Sequence, residues 1–77
     1  MMGYSETIRH LRTSMRPKMT HNELAKLLYT SQRKISRIEN GEAEPSVKDI
    51  ILICKYFNVS ADYLLGLEDH ISEPKEN

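Results

Sequence analysis

The segment SQRKISRIENGE, residues 31–42, sets Gln32, Arg33, Lys34 and Arg37 close together and ends in Asn40-Gly41-Glu42. Ser31 is suited to cap the start of a helix, and Gly41 falls where a residue of positive φ is expected to end it. On that helix Gln32, Arg33, Ser36 and Arg37 share one outward face, opposite the apolar Ile35 and Ile38. These side chains suit recognition by hydrogen bonds. Gln can bridge N6 and N7 of adenine, and the Arg fork can bridge O6 and N7 of guanine. An α-helix fits the major groove of B-DNA, and its first turn reaches base edges if the preceding helix crosses the backbone. Lys34 is expected at a phosphate or in solvent.

Other chemistry finds little support. His10, His21 and His70 lack ligand spacing, so no metal site is expected. Cys54 is the sole cysteine, which excludes an internal disulfide and a cysteine-based zinc site. It stands among apolar residues, where a free thiol is usually inert. With no Gly-rich phosphate loop and no Ser-His-Asp or paired-carboxylate arrangement, neither an enzyme nor a cofactor is expected.

The formal net charge of zero hides an asymmetry. Residues 1–41 carry eight Lys or Arg against three acids, and residues 42–77 carry three against eight. One half is therefore suited to phosphates. No stretch approaches the roughly 18 apolar residues of a membrane span, and no cleavable signal opens the chain. A cytoplasmic protein without membrane contact is expected. Its 77 residues are expected to form one small domain, without a ligand-sensing domain.

Five helices and no strand are expected around the segment. Ile8, Leu11 and Met15 mark the first, closed by Arg16-Pro17 because the residue before Pro avoids the helical region. Thr20 and Glu23 have capping-box spacing and open the second, with Leu24, Ala25, Leu27 and Leu28 following. The short link before Ser31 makes the second and third helices a helix-turn-helix. Ser46 and Asp49 repeat the box before a fourth helix, whose inner face is read as Val47, Ile50, Ile51, Cys54 and Phe57. Ser60 caps a fifth helix from Ala61 to Leu65, and Gly66 ends it. Residues 1–67 are thus one domain, and 68–77 read as a flexible acidic tail.

Thr20, Glu23-Leu24-Ala25, Leu28, Ser31, Ile35-Ser36, Arg37-Ile38-Glu39-Asn40-Gly41, Pro45-Ser46, Val59-Ser60 and Asp62-Tyr63-Leu64-Leu65-Gly66 together resemble the phage repressor and Cro-type (XRE-like) helix-turn-helix family. The likeness covers residues 5 to about 67 and implies an all-α, five-helix, lambda-repressor-like DNA-binding domain. It implies base reading by Gln32, Arg33, Ser36 and Arg37, and phosphate contacts at His21, Asn22, Ser31, Lys34 and Asn40. It also implies an ion pair between Arg12 and Glu39 that pins the reading helix to the scaffold.

The chain departs from the family in four places. Tyr29 stands in the turn where Gly is usual, and Thr30 where a buried aliphatic is usual. His21 replaces a Gln at the start of the second helix. The loop after Gly41, often basic, is Glu42-Ala43-Glu44, while Arg16 and Lys18 in a lengthened first link are expected to replace the lost phosphate contacts.

The expected function is sequence-specific regulation of transcription, as a repressor and homodimer on a palindromic operator. Tyr63, Leu67 and Ile71 are the expected dimer surface, with Leu52 and Tyr56 as the alternative patch. A competing reading is an antitoxin or antirepressor module that uses the same fold to hold a protein partner.

Overall fold

A computed structural model describes residues 3–67. Its five helices are α1 (Tyr4–Thr13), α2 (His21–Leu27), α3 (Gln32–Glu39), α4 (Val47–Phe57) and α5 (Ala61–Leu64). The described residues contain no strand and no helix long and apolar enough to cross a membrane. The all-α, five-helix architecture agrees with the sequence.

Local chemistry sets most helix starts. The Thr20 hydroxyl accepts the Glu23 N–H, and the Glu23 carboxylate accepts the Thr20 N–H. Ser46 and Asp49 repeat that reciprocal pair, while Ser31 and Ser60 cap α3 and α5 through their hydroxyls. Each satisfies backbone N–H groups that a helix leaves open at its first turn.

Three helix ends share another device. After α3, Gly41 N–H donates to the Ile38 carbonyl and Glu42 N–H to the Arg37 carbonyl, with φ of 79° at Gly41. After α5, Gly66 and Leu67 repeat the pattern on Tyr63 and Asp62. After α2, Tyr29 and Thr30 do so on Lys26 and Ala25, with Tyr29 at φ 57°. These are Schellman motifs, whose left-handed position favours glycine. The turn keeps the family geometry, and Tyr29 takes the strain.

The core joins Ile8, Leu24, Ala25, Leu28, Ile35, Ile38, Ile53 and Leu64. Two sequence expectations need correction. The inner face of α4 is centred on Ile53, at 1% exposure, whereas Val47 and Ile51 are 73% and 48% exposed. Ile50, Leu52, Cys54 and Phe57 pack against the core only in part. Asp49 is buried one turn before Ile53, so the capping carboxylate and the core residue share the inner face. Tyr63 is also inside, at 6% exposure, which removes it from any surface that meets a second subunit. A shorter discrepancy concerns α1, which ends at Thr13 and leaves Met15 in the following link.

Candidate nucleic-acid interface

The base-reading candidates lie on α3. Gln32, Arg33 and Arg37 are exposed and Ser36 is half-buried, while Ile35 and Ile38 on the opposite side are buried. The first turn thus presents an amide and a guanidinium outward. At the other end, the Arg37 Nε lies 3.8 Å from a Glu42 carboxylate oxygen, with both side chains more than half exposed. Such a surface pair is weak and can open to a competing partner.

The far end of α3 is held by α1. The Tyr4 hydroxyl donates to the Ala43 carbonyl at 3.3 Å, and the Ser5 hydroxyl to the Ile38 carbonyl at 2.7 Å. The Arg9 Nη2 donates to the Glu39 carbonyl at 3.1 Å and to the Asn40 Oδ1 at 3.3 Å. These donors supplement the backbone satisfaction of carbonyls that the last turn leaves open.

Glu39 is the hub. Its carboxylate accepts Arg12 Nε at 2.7 Å and Arg12 Nη2 at 2.9 Å, the two-pronged arrangement in which Arg binds a carboxylate best. Arg9 Nε lies 3.4 Å and His21 Nε2 3.1 Å from its Oε1. Arg12 Nη1 also donates to the Met19 carbonyl, tying in the link before α2. Burial by itself raises the Glu39 pKa, but hydrogen bonds and charges from Arg12 and His21 outweigh it and hold the carboxyl below its ordinary value. One nearly inaccessible carboxylate therefore joins α1, α2 and α3.

The phosphate candidates divide by what already occupies them. Asn22, Ser31 and Asn40 are exposed, as is Lys18. His21 is half-buried and turns its Nε2 toward Glu39. Lys34 Nζ lies 3.6 Å from the buried Asp49 carboxylate, linking α3 to the capping box of α4. Arg16 folds back onto the Thr13 and Met15 carbonyls. Leu67 is 64% exposed beyond α5, and Ile71 lies outside the described residues. Of the alternative patch, Tyr56 is half exposed, while Leu52 is committed in part to the core. Burial raises the Cys54 thiol, which favours its protonated form.

The sequence reading missed Arg9. Its position, three residues before Arg12, places it on the same face of α1, and that spacing was the available signal.

A short helix anchored at its C-terminal end, with polar side chains projecting from its first turn, defines a helix-turn-helix DNA-binding domain. The helix-turn-helix family matches residues 8–64, and the chain belongs to that family, in its phage repressor and Cro-type form. The family comprises DNA-binding transcription regulators.

Among curated relatives, the HTH-type transcriptional activator BcrR of Enterococcus faecalis is 35% identical over 71 residues, covering 92% of this chain and 34% of that protein. Antitoxin PezA of Streptococcus pneumoniae is 37% identical over 59 residues, covering 77% of this chain and 37% of that protein. The chain thus spans about a third of these relatives' length. Among solved structures, the P22 c2 repressor in complex with a synthetic operator superposes with a TM-score of 0.73 at 31% identity, covering 84% of this chain and 96% of that one. A transcriptional regulator from Listeria innocua shares the fold with a TM-score of 0.75 at 23% identity, covering 96% of this chain and 64% of that one.

Proposed function

We propose that this protein is a sequence-specific repressor that binds a palindromic operator as a homodimer, with α3 of each subunit in a major groove. The observation that carries this reading is the pair Gln32 and Arg33, exposed on the first turn of a helix whose opposite end is immobilised on α1. Arg37 and Ser36 extend the reading face. Asn22, Ser31 and Asn40 set the helix on the phosphates, assisted by Lys18. The likeness to a repressor solved with its operator supports the same placement. A regulator of this kind works where the chromosome is, in the cytoplasm.

A single reading helix covers few base pairs, so two-fold pairing is the natural route to specificity, with half-sites about 34 Å apart. Exposed Leu67, together with half-exposed Leu65, offers apolar surface beyond α5 for that pairing. Selection of bound duplexes from a random pool tests the reading. A palindrome with half-sites one helical turn apart is expected. A wild type that remains monomeric at tens of micromolar and binds non-palindromic DNA one-to-one would refute the dimer. Leu67→Lys should shift sedimentation toward the monomer.

The relation to an antitoxin keeps a second reading in view: a module whose fold chiefly holds another protein. Recovery of no preferred sequence from the same selection would favour it.

A further inference from the structure

We propose that Arg9 joins Asn40, whose phosphate contact the family likeness already implies, in a clamp where α1 meets the C-terminal end of α3, with Arg9 contacting the DNA backbone directly. This inference rests on the DNA-binding reading above and deepens it. Around Glu39, the two guanidinium charges of Arg9 and Arg12 face a single carboxylate. Arg12 takes the two short hydrogen bonds and has a side chain only 12% exposed, whereas Arg9 takes a long one and is 51% exposed. The surplus positive charge therefore lies on the solvent side of the hub, at Arg9.

Arg9 also orients its neighbour. Its Nη2 donates to the Asn40 Oδ1, so the amide oxygen is occupied and the Asn40 Nδ2 group is left as the outward donor. The same Nη2 donates to the Glu39 carbonyl, while Nε faces the Glu39 carboxylate. A cationic fork and an amide donor, braced by one buried carboxylate, match the acceptor oxygens of a phosphate. They carry no information about base sequence.

The test compares wild type, Arg9→Gln, Arg9→Lys and Asn40→Ala on the selected operator and on a random duplex over a range of salt. A thermal melt establishes that each variant is folded. Arg9→Gln should weaken both duplexes by the same factor and lower the slope of log affinity against log salt by about 0.9, the value for one lost phosphate contact. Arg9→Lys keeps the charge and should retain the slope. Asn40→Ala should weaken both duplexes alike without changing it. A folded Arg9→Gln with the wild-type slope would overturn the clamp. So would an Arg9→Lys that loses as much slope as Arg9→Gln. Failure of wild type to bind any duplex would instead overturn the DNA-binding reading itself.

Discussion

At the first turn of α3, Gln32 and Arg33 lie exposed, and the Ser31 hydroxyl caps the backbone through the Lys34 N–H. At its last turn, Tyr4, Ser5, Arg9 and Arg12 of α1 converge on the backbone and on the buried Glu39 carboxylate. Both ends carry charged side chains, yet one end is tied down and the other is left for a partner. The difference separates affinity for the scaffold from affinity for DNA. Rigidity at one end lets the other present donors at fixed positions, which direct base readout requires.

Breaking the tied end should have the largest effect. Glu39→Gln leaves the Arg12 charge in a nearly inaccessible pocket without its counterion, and should destabilise the fold by about 3–5 kcal/mol in urea melts. A loss below about 1 kcal/mol would show that the Arg12–Glu39 pair contributes little to holding α1 on α3. The same carboxyl sets an acid limit. Its folded pKa lies below the ordinary 4.5, so its contribution is fully present above that value. As pH falls through the lower folded value the contribution disappears. Stability measured from pH 7 to pH 2 should show this loss in wild type, with a shallower acid limb in Glu39→Gln.

The exposed face of α3, which runs from Arg33 on the first turn to Arg37 on the last, should answer differently. Arg33→Ala and Arg37→Ala should each lose about 1–3 kcal/mol of operator binding and relax preference at particular base positions. Their melting temperatures should stay near wild type, since both side chains are exposed. Unchanged sequence preference in both variants would remove α3 as the reading element.

The smallest effect is expected at the turn that feeds the free end. Tyr29 holds φ at 57° while 79% exposed, and the Lys48 ammonium sits 5.1 Å from the centroid of its ring. Left-handed backbone at such a residue costs about 1–2 kcal/mol. Glycine relieves that strain but gives back about 0.4–1 kcal/mol through a freer unfolded chain. Loss of an exposed cation–π contact removes about another 0.5 kcal/mol. Tyr29→Gly should therefore change stability only slightly, between a loss of about 0.5 and a gain of about 1 kcal/mol, with a few tenths of stabilisation at the centre of the range. A clear fall in melting temperature would mean that the ring supports the turn. Asn58 makes the comparison sharper, because it adopts φ 56° at the end of α4 with a residue type that tolerates the conformation.

Most of the helix boundaries were legible because capping acts between residues three positions apart. Thr20 with Glu23, Ser46 with Asp49, Ser31 with the Lys34 N–H and Ser60 with the Tyr63 N–H are all local. The outward face of α3 was legible for a similar reason: Ile35 and Ile38 leave one apolar side. In the sequence Glu39 and Arg12 are connected only by the family resemblance, since 27 positions separate them. The rotation of α4 was misread because Val47, Ile50, Ile51, Leu52, Ile53 and Phe57 put apolar residues on several sides of it. Periodicity cannot choose a face when the faces are alike.

By itself, then, the sequence determined where the helices start, which side of α3 is polar, and that one half of the chain is basic. These follow from contacts within a few residues or from composition. Only the tertiary structure decided that Ile53 and Asp49 face inward, that Tyr63 belongs to the interior, and that Lys34 pairs with Asp49. It also decided that Arg9, Arg12 and His21 meet at one carboxylate, from positions 30, 27 and 18 residues away from Glu39. Such meetings depend on the angle at which α1 and α2 dock on α3, and docking is settled by burying the shared core rather than by any one residue's local preference.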